Sequence, residues 1–181
     1  MNVTIRERKF SLRSEYDIEA PDCSYCARKK LFSLLPRLEL FTERHHLLAR
    51  IMGRWSLFRT RYDFVFTEGN AYRFWREKVW KGVFACENNE EKFKMYTHKG
   101  LNYSIFHNDL QIAAFRKNRI VIGKGNEYDV RVDRDANLPV VICMVLVLNT
   151  EEDDDEHETV TVDFGNIGPE EIPFDESWQP N

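Results

Sequence analysis

The chain has 181 residues, of which 43% are hydrophobic and 31% charged, and this is enough for one domain with a substantial core. The net charge of −4 conceals a division, because residues 1–150 hold all 26 Lys and Arg against 18 acids, whereas residues 151–181 hold 12 acids and no cation. No run approaches the roughly 20 apolar residues of a membrane-spanning helix, which excludes that class. A body of +8 with a tail of −12 indicates a partner that carries phosphates or anionic lipid, unless the charge serves solubility alone.

The N-terminal segment Asn2 to Lys9 is polar and charged, so we do not expect it to be a secretory signal. We expect a cytoplasmic protein whose cysteines are reduced. Cys23 and Cys26 form a CxxC motif, which is half of a zinc site or a redox pair. Zinc needs a second ligand pair with recognisable spacing, and a redox pair needs a preceding strand, but Pro21-Asp22 reads as a turn. We therefore expect no metal and no cofactor.

The N-terminal part of the chain contains a repeat. Phe10-Ser11-Leu12 returns as Phe32-Ser33-Leu34 and as Trp55-Ser56-Leu57, and basic residues precede each copy. After each copy come an alternating apolar segment, a polar turn and a return strand. The period of 22 to 23 residues accommodates two strands and two turns, so the sequence predicts a β-hairpin repeated in a meander.

Alternation with a period of two continues from Lys92 to Val132 and is interrupted by turn residues such as Asn108-Asp109. About a dozen short strands without an amphipathic helix predict a sandwich or a barrel, and closure into a barrel removes the free edges. Aromatic residues at alternate positions are then expected in the core. They include Phe64, Phe66, Phe74, Phe93, Tyr103 and Phe115.

An unbroken apolar run from Val140 to Leu148 follows these strands and must be enclosed on every side. Its β-branched residues favour a strand and its length favours a helix, so local pattern alone leaves the two near even. Asn137 is a good N-cap, Pro139 suits the first helical turn, and Asn149 can close the C-terminus. We predict a buried central helix over residues 137–149, inside a barrel domain of residues 1–150.

The Phe-Ser-Leu units, the strands between them, and Glu127-Tyr128-Asp129-Val130 before the apolar segment together resemble the LURP-one-related proteins over about residues 3–150. That family belongs to the tubby C-terminal-like superfamily, with the phospholipid scramblases. The resemblance implies a mainly β fold, a closed antiparallel barrel of about 12 strands around a central C-terminal apolar helix. The local Lys/Arg motif with which tubby proteins bind phosphoinositides is absent, and Arg134 interrupts the acidic segment expected of a scramblase. No site residue of either is carried over.

Residues 151–181 are predicted to form an acidic C-terminal tail, in which residues 159–164 could add one strand and residues 165–181 are loosely attached. The run Glu151 to Glu158 is rich in carboxylates but lacks the turn-making glycine of an EF-hand loop. A solvated linker is therefore expected in preference to a calcium site.

The predicted function is a non-catalytic domain that lies peripherally at a membrane and binds anionic phospholipid or phosphoinositide headgroups. Its candidate lipid-binding residues are Arg28, Lys29, Lys30, Arg116, Lys117 and Arg119. The alternative is a protein-interaction or scaffold domain with no small ligand. The oligomeric state is left open.

Two further classes are weighed against these. Nucleic-acid binding would use basic residues interleaved with exposed aromatics, and its one candidate, Trp75 to Lys81, reads as a strand end. An enzyme could use His98, His107 and Asp109, which lie close in sequence. Because the sequence contains no recognisable nucleophile elbow, paired carboxylates or phosphate loop, we expect no catalytic activity.

Overall fold

The computed structural model describes residues 1–10, 13–30, 33–55, 61–78, 82–118, 125–156 and 171–181. These residues form twelve strands and one helix. The strands are β1 (Asn2–Phe10), β2 (Arg13–Glu19), β3 (Ser24–Lys29), β4 (Arg37–Thr42), β5 (Leu47–Arg54), β6 (Arg61–Phe66), β7 (Ala71–Lys78), β8 (Val83–Glu87), β9 (Lys92–His98), β10 (Asn102–His107), β11 (Leu110–Asn118) and β12 (Glu127–Val132), and the helix is α1 (Leu138–Glu156).

Each strand pairs antiparallel with its neighbours in sequence, and β1 pairs with β12 to close the barrel. The prediction of a mainly β, closed antiparallel barrel of about 12 strands is thereby confirmed. Since every strand reverses direction, the connections from odd to even strands lie at one end of the barrel and those from even to odd strands at the other. Closure leaves no strand edge unpaired.

Inward-facing side chains alternate with outward-facing ones along each strand. In β6, for example, Tyr62, Phe64 and Phe66 are buried, whereas Val65 faces outward. The rings of Phe64, Phe74 and Phe84 stack in series, with centroids 5.7 and 5.5 Å apart. The aromatic residues expected in the core are all buried, as the period-two alternation predicts.

Helix α1 fills the barrel, and every residue from Val140 to Thr150 is buried. Each apolar side chain enclosed in this way contributes about 1.5 to 3 kcal/mol, so the helix and the inward faces of the strands form one shared core. The Asn137 side-chain oxygen accepts a hydrogen bond from Val140 N at 3.4 Å, as expected of an N-cap. Among the described residues, no helix is long and apolar enough to cross a membrane.

The predicted end of the helix at Asn149 is wrong, because α1 continues to Glu156. The acidic run contains neither Gly nor Pro, so no helix-breaking residue ends α1 at Asn149. The Asn149 side chain bonds to the barrel wall instead of closing the helix. The expected domain boundary at residue 150 therefore falls inside a continuous helix.

Residues 171–181 lie against the outside of the barrel, in contrast to the loosely attached tail expected. Glu171 pairs with Lys78 at 2.7 Å, and the Asn181 backbone N–H donates to Asp133 at 2.8 Å. The strand predicted over residues 159–164 lies outside the described residues.

Candidate functional site

The two ends of the barrel differ in charge. The basic end is the end at which β1, β3, β5, β7, β9 and β11 terminate and the next strands begin. The chain segments that join strands there contain no Asp or Glu in sequence. Their neighbouring strand ends and connections carry Arg28, Lys29, Lys30, Arg37, Arg54, Arg61, Arg76, Lys78, Lys99 and Arg116, against Glu77 and Glu127.

The opposite, acidic end holds the turns between even and odd strands and the connection from β12 to α1. Within these connections lie Asp22, Glu43, Glu68, Glu90, Glu91, Asp109, Asp133 and Asp135, against Arg44 and Arg134. The fold thus separates positive from negative charge along the barrel axis, and an anionic surface is attracted to one end only.

Two large apolar side chains of the basic end are exposed to solvent. Leu34, between β3 and β4, is 97% exposed, and Trp55, directly after β5, is 82% exposed. Lys30 and Arg54 lie close to them in the chain. Exposed tryptophan and leucine residues beside cations are typical of protein surfaces that bind at the interface of an anionic membrane.

Several cations of the basic end are already paired with carboxylates on the barrel wall. Lys30 Nζ lies 2.8 Å from Glu39, and Arg54 Nε lies 2.6 Å from Asp63. Other cations form no ion pair with a described residue; they are Lys29, Arg37, Arg61 and Arg116. These four can meet an external anion without first giving up a protein carboxylate.

The structure distributes the predicted lipid-binding residues over two strands. Arg28 and Lys29 lie on β3 with Lys30 directly after it, and Arg116 and Lys117 lie on β11. Both groups belong to the basic end, but β2, β1 and β12 separate their strands, which is about 19 Å around the wall. They are therefore parts of one broad end and not one compact cluster.

Three of these residues differ from simple exposed cations. Arg28 Nε lies 3.7 Å from Glu15, and the Arg28 guanidinium lies over the Phe41 ring. Lys117 is only 7% exposed, and its Nζ lies 5.9 Å from the Tyr128 ring centroid, so its expected place on the surface is wrong. It belongs to the inward-facing set because it pairs directly with the inward-facing Tyr128. Arg119 lies outside the described residues.

A polar cluster anchors α1 where it leaves the basic end. Asn149 donates to the Tyr16 hydroxyl at 2.8 Å and accepts from the Tyr128 hydroxyl and the Asn126 side chain, both at 2.7 Å. Glu7 receives the Asn126 backbone N–H at 3.1 Å. Such buried, mutually bonded polar groups fix one register of the helix relative to the wall.

The acidic part of α1 emerges from this basic end. The helix begins beside the acidic end, directly after β12, and Asn149 contacts Asn126 in the connection between β11 and β12. Residues 151–156, which read EEDDDE, continue the helix beyond that point. The backbone of α1 therefore leaves the barrel at its basic end.

The CxxC motif lies just before and within β3. Cys23 Sγ donates to the Tyr25 hydroxyl at 3.4 Å, and Cys26 Sγ lies 4.0 Å from His45 Nδ1. Burial raises the pKa of the Cys26 thiol, which disfavours the thiolate that metal binding and redox exchange require. Within the described part of the chain, no three His, Cys, Asp or Glu side chains are grouped to hold a metal.

The three residues considered for catalysis are not brought together. His98 ends β9 at the basic end, whereas His107 and Asp109 lie at the acidic end. His98 Nε2 lies 2.7 Å from Ser104 Oγ, but both residues are buried and the Phe174 ring lies against the imidazole. The arrangement gives a substrate no access to this serine and histidine.

Comparison with protein-family models, curated proteins and solved structures finds no match to this chain. The functional argument therefore depends on the geometry and charge of the barrel itself.

Proposed function

We propose that the protein is a non-catalytic LURP-one-related, tubby-like domain that lies peripherally on a membrane and binds anionic phospholipid or phosphoinositide headgroups with its basic end. The observation that supports this most is the combination of unpaired cations with the exposed Leu34 and Trp55 at the end whose connections contain no Asp or Glu, whereas the exposed Leu110 of the other end lies beside Asp109. The acidic end then faces away from the membrane.

The expected strength follows from the number of groups involved. A Lys or Arg near an anionic surface contributes about 1 kcal/mol, so Lys29, Arg37, Arg61 and Arg116 together supply about 4 kcal/mol. Burial of an exposed leucine in the interface adds about 2 kcal/mol. Such binding is reversible and weakens in salt, because surface charges are screened over about 8 Å at physiological ionic strength.

The first prediction compares two double charge reversals in the full chain. Arg37→Glu with Arg61→Glu alters the basic end, and Arg44→Glu with Arg134→Glu makes the same change in net charge at the acidic end. All four arginines are exposed, so neither variant should disturb the fold. In co-sedimentation with phosphatidylserine vesicles at low salt, we expect the first pair to weaken binding at least tenfold and the second less than twofold.

The apolar contribution is tested in the same assay. Trp55→Ala should weaken binding without changing its salt dependence, whereas Leu110→Ala, exposed beside the acidic-end turn between β10 and β11, should have no effect. Vesicles of phosphatidylserine, of a phosphoinositide, and of phosphatidylcholine alone distinguish general anionic attraction from headgroup selectivity. The proposal is rejected if the wild-type protein binds no anionic vesicle at low salt, or if the two double charge reversals weaken binding equally.

The acidic run supplies a second prediction. Replacement of the six acids of residues 151–156 by Gln and Asn preserves helix-compatible side chains and removes six negative charges from the middle of the basic end. We expect this variant to bind phosphatidylserine vesicles about tenfold more tightly at low salt and to lose the advantage at high salt. The matched control neutralises Asp22, Glu43, Glu68, Glu90, Asp109 and Asp135 at the other end. Equal gains in the two variants would show that net charge, and not the position of the acidic run, governs binding.

A further inference from the structure

One side of the barrel wall is buried on its outer face as well as its inner face. On β8 to β11 the core row contains Met95 and Ile105, and the next row along these strands must point outward. The outward-facing side chains of that row are nevertheless buried on β8, β9, β10 and β11, and the row ends on β12. It consists of Val83, Tyr96, Ser104, Ala114 and Arg131.

Outward-facing positions elsewhere on the wall are open to solvent, as Val65 and Arg73 on β6 and β7 are. The outer face of β8 to β12 therefore has a covering layer. We call this face the covered wall. Among the described residues, those that contact it from outside belong to residues 171–181.

The contacts run in order from one side of the covered wall to the other. Glu171 meets Lys78 on β7, and the Phe174 ring lies 5.2 Å from the His98 ring on β9. Trp178 completes the series on β12, where Arg131 donates to its carbonyl oxygen at 2.7 Å and places its guanidinium over the indole. Two aromatic anchors and an acid thus meet a histidine and two cations.

The order of the contacts agrees with a chain that passes across the strands. Glu171, Phe174 and Trp178 follow one another in the segment, and their partners lie on β7, β9 and β12, which follow one another around the wall. A turn between the anchors is held by Asp175, which accepts from the Ser177 N–H at 2.9 Å and its hydroxyl at 2.6 Å. The hydrogen bond from the hydroxyl also lowers the pKa of Asp175, which keeps this carboxylate ionised.

We propose that the covered wall is a docking surface for an acidic peptide with two aromatic anchors four residues apart and a turn between them, and that residues 171–181 occupy it in cis. A protein partner of this chemistry would bind by replacing the chain's own segment. The segment reaches the basic end at Lys78 and His98, but among the described residues it contacts none of Lys29, Arg37, Arg61 and Arg116, so this inference can be tested separately from the membrane proposal. The inference specifies the surface and the kind of peptide that a protein-interaction domain of this fold would use.

Because the chain's own segment occupies the covered wall, it sets the affinity that a partner needs in order to displace it. A segment joined to the barrel through residues 157–170 acts at an effective concentration on the order of millimolar. An equally good peptide supplied from outside at micromolar concentration therefore competes poorly. Cutting the connection should raise the apparent affinity for the external peptide roughly 10- to 100-fold.

The test inserts a specific protease site within residues 157–170 of the full chain and compares the protein before and after cleavage. The probe is a fluorescent peptide of residues 171–181, and its binding is followed by anisotropy. We expect the probe to bind weakly to the intact chain. After cleavage, we expect one of two results: the segment dissociates and the probe binds in its place, or the segment stays bound to the barrel during gel filtration. Retention itself shows a site that holds the peptide without a covalent link.

Matched variants identify the contacts. A probe with Phe174→Ala and Trp178→Ala should bind the cleaved protein at least tenfold more weakly, and so should the unaltered probe to cleaved Arg131→Ala protein. Arg73→Ala, an exposed arginine on β7 away from these contacts, should have no effect. The proposal is overturned if the cleaved protein, with an unchanged thermal melt, loses its segment and binds no probe, or if protein that has lost its segment binds the two probes equally.

Discussion

Val141→Asp is expected to reduce the free energy of unfolding by more than about 4 kcal/mol, the largest effect of any single substitution considered. Val141 is 1% exposed near the start of α1 and lies in the single core shared by the helix and the barrel. An aspartate there must either lose its charge or remain buried without a partner. Urea unfolding at constant pH would measure the loss as a lower midpoint.

The control for this substitution is Val65→Asp. Val65 faces outward on β6 and pairs with Arg50, so the same change leaves the new carboxylate hydrated and beside a cation. Its cost should stay within about 1 kcal/mol. If Val141→Asp does not fold at all, Val141→Ala gives a measurable loss of about 2 kcal/mol from the cavity alone. A Val141→Asp midpoint equal to that of Val65→Asp would contradict an enclosed helix.

The basic end follows from the repeat more directly than from the basic clusters. A period of 22 to 23 residues equals two strands and two turns, so each Phe-Ser-Leu unit and its preceding cations must return to the same end of an antiparallel barrel. The start of each unit at or just after the end of β1, β3 and β5 agrees with this. The basic clusters indicate where cations occur but not that they share one end, because cluster composition carries no information about strand direction.

Other features depend on tertiary contacts that local pattern does not contain. Lys117 was expected on the surface because it stands in a run of cations, but the strand alternation places it in the barrel beside Tyr128. Phe174 and Trp178 lie in a segment rich in Pro and Glu that shows no periodicity. The signal that could have indicated docking is the presence of two large aromatic residues in a tail otherwise too polar to fold alone.

Asn149 shows how one residue supports two readings. As the polar residue directly after an apolar run it resembles a C-cap, and the local pattern predicts that the helix stops there. In the structure its side chain is wholly buried and bonds to Tyr16, Tyr128 and Asn126 on three different parts of the barrel. A buried amide with three partners fixes the rotation and depth of the helix, which uniform apolar packing around the helix would leave poorly defined.

Asn149→Ala should therefore cost about 2 to 4 kcal/mol, since it removes three buried hydrogen bonds and separates polar groups from their partner. A double-mutant cycle assigns part of that cost. Asn149→Ala and Tyr128→Phe should show a coupling free energy of about 1 kcal/mol or more in unfolding, because the two side chains are hydrogen-bonded at 2.7 Å. Combined with Tyr72→Phe, whose hydroxyl bonds to Glu91 at the acidic end, Asn149→Ala should be additive within about 0.5 kcal/mol. Additivity in both cycles would mean that Asn149 is merely a tolerated polar residue, and that helix position is set by apolar packing alone.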